Sequence, residues 1–132
     1  MYDIENYYNA STIEEAVRLL KEHPDTRVIS GGSDVLIKIR EGKMAGTSLV
    51  SIRDIKELNG ITKKENGDIY IGAGTTFSHI TNDPVIQENI PVLGEAVDQV
   101  GGPQIRNIGT IGGNICNGAV SADSAPTVFS LN

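Results

Sequence analysis

A mixed α and β fold is what this 132-residue sequence predicts, as a small βαβ-like subdomain over 1–57 and the first part of a second α+β subdomain over 58–132. Three observations carry that expectation. Short β-rich runs alternate with helical patterns in the first part. An Asn-Gly pair lies between two strand-like runs near the middle. Helix starts marked by Thr, Asp and Pro then follow in close succession.

The first helix is predicted from Ser11-Thr12-Ile13-Glu14, which reads as a capping box with Ser11 as the cap and Glu14 reaching back. Ile13, Ala16, Val17 and Leu20 follow at helical spacing and are expected to form one buried face, and His23-Pro24 ends the element. Thr26 to Ser30 is a β-rich run that stops at Gly31-Gly32, after which Ser33-Asp34 is placed to cap a second helix through about Arg40. Ser48 to Ile52 is a further apolar strand, and Arg53 to Asn59 is expected to be a short helix or turn.

Asn66-Gly67, between Ile61–Glu65 and Asp68–Ile71, predicts a hairpin with a two-residue turn. Thr76 or Ser78 then starts a brief helix, and Asp83-Pro84 starts another by placing a cap before a proline at the first helical position. Pro91 to Val100 reads as a buried helix with Leu93, Ala96, Val97 and Val100 on one side. Gly101 to Gly118 holds six glycines and three asparagines around Ile105, Ile108, Ile111 and Ile115, and is expected to be an ordered loop held by apolar pegs. Asp123-Ser124-Ala125-Pro126 looks like one more helix start.

Composition narrows the function classes. The chain is 39% hydrophobic and 21% charged, with no apolar run near the roughly 20 residues that span a bilayer. The first fifteen residues contain Asp3, Glu5, Glu14 and Glu15 and no basic residue, unlike a secretory or transit peptide, so a cytoplasmic protein is expected. The net charge of -6 argues against nucleic acid or an anionic membrane as partner, and an anionic ligand would need local help. Cys116 is the single cysteine, so no iron–sulfur cluster is expected on this chain and no metal ligand is assigned.

Glycine, at 15 residues, is the outlier. A diphosphate can be met by converging main-chain N–H groups, and glycine permits both the close approach and the positive φ angles that aim such groups into one concavity. Gly31-Gly32-Ser33-Asp34 has the right setting, after a strand and before a helix. Gly112-Gly113-Asn114 is a second candidate, with Thr110 and Asn114 as side-chain donors. Neither cluster has the spacing of a G-x-G-x-x-G fingerprint or of a P-loop. Paired glycines are also common in plain tight turns. Arg106 is placed either to counter phosphate charge or to brace loop carbonyls and pair with a carboxylate. His23 and His79 read as structural, Cys116 as a small buried hydrophobe, and the tyrosines as packing residues, so no catalytic side chain is assigned.

Val28 to Leu36, with Ser30-Gly31-Gly32-Ser33-Asp34 at its centre, resembles the first flavin-binding segment of the FAD subunits of molybdopterin-dependent dehydrogenases, the xanthine dehydrogenase family. Arg106 to Ile115, with Asp123 nine residues after Asn114, resembles the second such segment, and Ile71-Gly72-Ala73-Gly74-Thr75-Thr76 resembles the element between them. The resemblance implies the PCMH-type FAD-binding fold. It assigns FAD contacts to Val28, Ile29, Ser30, Gly31, Gly32, Ser33, Asp34 and Val35, then to Thr110, Ile111, Gly112, Gly113, Asn114 and Asp123, and places Val100 against the flavin.

Two bends of main chain are thereby expected to meet one diphosphate, and a valine at Gly112 to block its approach while leaving the fold largely intact. The resemblance further implies a molybdopterin-binding subunit and a subunit with 2Fe-2S clusters as partners, with NAD as electron acceptor. In the family the domain continues beyond this length, so the chain is expected to be an N-terminal fragment lacking part of the isoalloxazine pocket. Xanthine is the first substrate reading. Carbon monoxide, nicotinate or an aromatic acyl-CoA, and a quinone acceptor, stay open, and a non-catalytic phosphate-binding or scaffold domain is the alternative from another class.

Overall fold

The computed structural model describes residues 4–33, 35–43 and 46–117, and the chain divides into two compact units, Met1–Glu57 and Leu58–Asn132.

The first unit runs β1 (Ile4–Asn9), α1 (Ile13–Glu22), β2 (Thr26–Ile29), α2 (Val35–Arg40) and β3 (Thr47–Ser51). Its three strands form a parallel sheet in the order β1-β3-β2. The crossover from β1 to β2 and the return from β2 to β3 travel in opposite directions, so two right-handed connections place their helices on opposite faces. Leu49 and Ile29 face α2, where they pack with Leu36 and Ile39. The period-2 alternation turns Val50 and its register partner Tyr8 to the α1 side, and there Tyr8 stacks on His23 at the end of α1 with ring centroids 4.7 Å apart.

Strand β1 is an element that the hydrophobic pattern did not announce. It is an edge strand whose residues are mostly exposed, so no burial requirement imposes an apolar alternation on it, and its register slips by one residue between Ile4 and Tyr7. Helix α1 starts one residue later than expected, because Thr12 and not Ser11 is the cap. Its side chain accepts from the Glu15 N–H at 3.1 Å, and Thr12-x-x-Glu15 matches the capping-box spacing as well as Ser11-x-x-Glu14 does. The expected buried face is also narrower. Ala16 is buried, while Ile13 and Val17 are 40% and 44% exposed.

The second unit begins at Leu58, the last residue of a 3-10 turn (Lys56–Leu58), and continues into the antiparallel hairpin β4 (Ile61–Lys63) and β5 (Ile69–Ile71). The turn is longer than the two-residue form that Asn66-Gly67 suggested. Lys64 and Asp68 pair, and Gly67 N–H returns to Lys64 O at 2.9 Å. Gly67 alone in this loop has positive φ, at 92°, so Asn66 is not in the left-handed region that a type I′ turn demands. The loop is a type I turn closed by a left-handed glycine.

Five short helices follow: α3 (Phe77–Asn82), α4 (Pro84–Asn89), α5 (Pro91–Val97), α6 (Pro103–Ile108) and α7 (Ile111–Asn117). Thr76, one of the two starts the sequence left open, caps α3, and Asp83 caps α4 through a bond from the Val85 N–H, as the sequence suggests. The core gathers Phe77, Ile80, Ile86, Leu93, Val97, Val100 and Ile111. Each fully buried side chain of this kind contributes about 1.5–3 kcal/mol. The stretch expected as a loop from Gly101 contains α6 and α7 instead. Ile111 is buried and Ile105 packs against the core, whereas Ile115 is 37% exposed and pegs nothing. Glycine content hid these helices, because propensity disfavours them and only packing against the core and the 71–76 segment makes them hold. Asp123 and the helix start expected there lie outside the described residues. Among the described residues no helix is long and apolar enough to cross a membrane.

Candidate functional site

The carboxyl edge of the parallel sheet is where an open α/β sheet presents ligand-binding loops. In the first unit that edge carries Ser30 to Ser33. Gly32 has φ of +80°, which a side chain rarely adopts, and a Cβ there would sit 3.1 Å from Leu36 Cδ1 and 3.2 Å from Ile29 Cδ1. Gly32 O accepts from the Leu36 N–H at 3.0 Å and so belongs to the first turn of α2. The N–H groups of Gly31, Gly32 and Ser33 make no backbone hydrogen bond to a described residue, and all three residues are half-buried. Open donors on a turn held by a left-handed glycine suit an anionic oxygen.

The flanking candidates divide by what their side chains do. Ile29 is 7% exposed and belongs to the core, and its carbonyl accepts from the Ile52 N–H; Val35 also packs against that core, while Val28 is 43% exposed. Asp34 lies outside the described residues.

The second glycine segment is built differently. Thr110 pairs with Thr76 in an isolated antiparallel bridge, and Ile111 N–H donates to Thr75 O at 3.1 Å. Gly112 N–H donates to Ala73 O at 2.9 Å, Gly113 N–H to Thr110 Oγ1 at 3.0 Å, and Asn114 N–H to Thr110 O at 3.0 Å. All four donors are thus engaged inside the unit. Thr110, 6% exposed, caps α7 from within.

Gly112 is a glycine for steric reasons. A Cβ there would lie 2.7 Å from Ala73 O and 2.8 Å from Ala73 Cβ, so the expectation that a valine would leave the fold intact is corrected by this packing. Gly113 is exposed, and a Cβ on it would meet Thr110 Oγ1 alone, at 2.9 Å. Val100 is 9% exposed and sits in the core, so its side chain is committed to packing.

The 71–76 segment is the platform for this arrangement, which its resemblance as a connecting element did not disclose. Gly74 N–H donates to Leu58 O at 2.7 Å and Gly72 N–H to Gly60 O at 2.9 Å. Thr75 Oγ1 both accepts from Gly60 N–H and donates to Gly60 O. Ala73 and Thr75 then offer their carbonyls to the second glycine segment. Main-chain hydrogen bonds between irregular segments leave no hydrophobic period in the sequence, which is why spacing alone did not find this platform.

Of the two roles open to Arg106, the structure shows the brace. Its Nη1 donates to Gly101 O at 2.7 Å and Val100 O at 3.3 Å, and its Nε lies 3.6 Å from Asp98 Oδ1. His79 Nε2 lies 3.3 Å from Asp83 Oδ2, and Asp83 caps α4, which is a structural use. Cys116 is exposed and not the buried hydrophobe its neighbours suggested, because α7 turns Ile111 inward and the Ile115–Cys116 side outward.

A parallel βαβαβ unit with a glycine turn at its carboxyl edge is an arrangement that nucleotide-phosphate-binding proteins use. The match to known proteins makes the class specific: residues 2–132 fit the family described as the FAD binding domain in molybdopterin dehydrogenase, and the chain belongs to that family. The xanthine dehydrogenase FAD-binding subunit of Escherichia coli O157:H7 is 43% identical over 130 residues, covering 98% of this chain and 44% of that protein. The nicotinate dehydrogenase FAD-subunit of Eubacterium barkeri is 39% identical over 134 residues, covering 100% of this chain and 45% of that protein.

Among solved structures, quinoline 2-oxidoreductase from Pseudomonas putida 86 superposes with a TM-score of 0.89 at 26% identity, over 94% of this chain and 43% of that one. Carbon monoxide dehydrogenase from Hydrogenophaga pseudoflava gives 0.85 at 33% identity, over 89% of this chain and 41% of that one. The chain therefore spans less than half the length of these relatives.

FAD is the cofactor of the family, and the Gly31–Ser33 turn is compatible with it, because its three N–H groups have no backbone partner among the described residues. When bound, FAD supplies the redox chemistry.

Proposed function

We propose that this chain belongs to the FAD-binding electron-transfer subunit of a molybdenum hydroxylase complex, one that passes electrons from an iron–sulfur subunit through FAD to NAD, and that the complex is a xanthine dehydrogenase. The observation that carries the reading is the Gly31–Ser33 turn with its open N–H donors, in a chain 43% identical to a xanthine dehydrogenase FAD-binding subunit. In this proposal residues 28–35 hold FAD mainly through main chain. Thr110 to Asn114 form the second contact segment, contributing shape and side-chain groups, and Asp34 and Asp123 keep the roles that the family resemblance gives them.

The proposed partners are a molybdopterin-binding subunit, where the substrate is hydroxylated, and a subunit carrying 2Fe-2S clusters. A cytoplasmic location belongs to the same proposal. The likeness to a nicotinate dehydrogenase subunit at 39% identity supports one alternative substrate for the complex. Family membership favours a redox role over the scaffold reading that the glycine turns alone left open.

The test is purification of the full-length subunit and of its complex. The subunit is expected to be yellow, with flavin absorbance near about 450 nm, and the complex to reduce NAD with xanthine in preference to nicotinate. A colourless subunit that takes up no added FAD would overturn the cofactor assignment. NAD reduction with nicotinate alone would move the substrate to the alternative.

A further inference from the structure

The carboxyl edge of the first unit's sheet carries an exposed arginine, Arg53, that no ion pair engages among the described residues. Arg53 lies two residues past the end of β3. Ile52 N–H donates to Ile29 O at 3.0 Å, which ties the start of this loop beside the end of β2 and so next to Ser30 and Gly31. Ser51 Oγ accepts from the Arg53 N–H at 3.4 Å and holds the backbone at the bend. The adjacent carboxylate, Asp54, is taken by Asn9 Nδ2 at 2.7 Å. Arg53 is exposed, and among the described residues no ion pair engages its guanidinium. The other arginine of the sheet, Arg27, stands opposite Leu49, two positions before the strand end.

The chain has a net charge of -6, so a dinucleotide approaching it meets a repulsive background that three neutral N–H donors offset only in part. A guanidinium offers a planar pair of donors to a phosphate and stays charged at any physiological pH.

We propose that Arg53 is a binding residue for the diphosphate of FAD, supplying a positive charge beside the Gly31–Ser33 turn, which has none of its own. The proposal rests on the reading of that turn as part of the FAD site. It divides the work within one sheet edge: the turn fixes where the phosphate oxygens sit, and Arg53 makes their charge favourable there.

The experiment is FAD titration of the flavin-depleted full-length subunit, followed by flavin fluorescence at low salt and at about 0.5 M salt. Wild type is compared with Arg53→Gln, Arg53→Lys and the control Arg27→Gln. Arg53→Gln is expected to weaken FAD binding about tenfold at low salt, as the loss of a charge-assisted bond predicts. Arg53→Lys should recover part of that loss, the difference from wild type should shrink at high salt, and Arg27→Gln should stay within about twofold of wild type. Equal affinity in Arg53→Gln and wild type overturns the proposal, as does an equal loss in Arg27→Gln, which would signal net charge alone. Failure of the wild type itself to bind FAD overturns the cofactor reading, and with it the proposal for Arg53, whereas binding by the wild type with no loss in Arg53→Gln overturns the Arg53 proposal alone.

Discussion

The two glycine segments look alike in the sequence and differ in what they do with their main chain. At Gly31–Ser33 the N–H groups have no backbone partner among the described residues, and Gly32 is glycine because of its φ of +80°. At Ile111–Asn114 every N–H is already bonded, and Gly112 is glycine because Ala73 occupies the place of a side chain. The same residue type thus answers two demands, left-handed backbone in one unit and close approach of two backbones in the other. The first segment keeps main-chain donors that, in the proposed function, meet the anion. The second presents a finished surface, whose contribution must come from its shape and from groups such as Asn114.

The largest effect is expected where the difference is steric. Gly112→Val forces a branched side chain into Ala73 and should destabilise the protein by about 3 kcal/mol or more, read as a drop in urea midpoint. Gly113→Ala, with Thr110 Oγ1 as its one close contact, should stay within about 1 kcal/mol of wild type. Similar midpoints for the two variants would erase the distinction drawn between these neighbours.

Gly32→Ala comes next. The left-handed backbone costs an alanine about 1–2 kcal/mol, and any relaxation of the turn misaims its donors, so FAD retention by the full-length subunit should fall more than stability does. Undiminished flavin content in a folded Gly32→Ala protein would break the assignment of the first segment.

Thr110→Val removes the acceptor of the Gly113 N–H and should cost about 1 kcal/mol, a typical value for a lost helix cap, with Thr110→Ser restoring most of it. A Thr110→Val protein as stable as wild type would mean that the α7 cap carries no weight.

The smallest effect belongs to Gly67→Ala. Open space surrounds the site, so only the φ of 92° opposes the substitution. A stability loss of about 1 kcal/mol is expected, with flavin content unchanged. Loss of flavin in this variant would show that glycine substitutions disturb the protein without regard to place.

Local chemistry was legible wherever one residue type decides the backbone. Thr76 and Asp83 as caps, Pro84 and Pro91 at first helical positions, and His23 at the end of α1 act as their side chains dictate. The family was legible too, because three motifs keep their order along the chain and residues 2–132 fit one family. Ser11 was passed over for Thr12 because two overlapping capping boxes are equivalent in sequence, and the choice falls to how β1 delivers the chain to α1. Asn66-Gly67 signals a turn, yet the register of Ile61 with Ile71 sets its length.

By itself the sequence determined the kinds of elements, the places where the backbone must bend, and the family, since these follow from side chains acting on their own peptide units or from patterns kept in order. Tertiary structure decided which glycine donors stay open, which side of α1 is buried, and that Gly101 to Asn117 folds into two helices. Each of these depends on an atom distant in the chain, the carbonyl of Ala73 above all, and a residue's own propensity contains no information about such a partner.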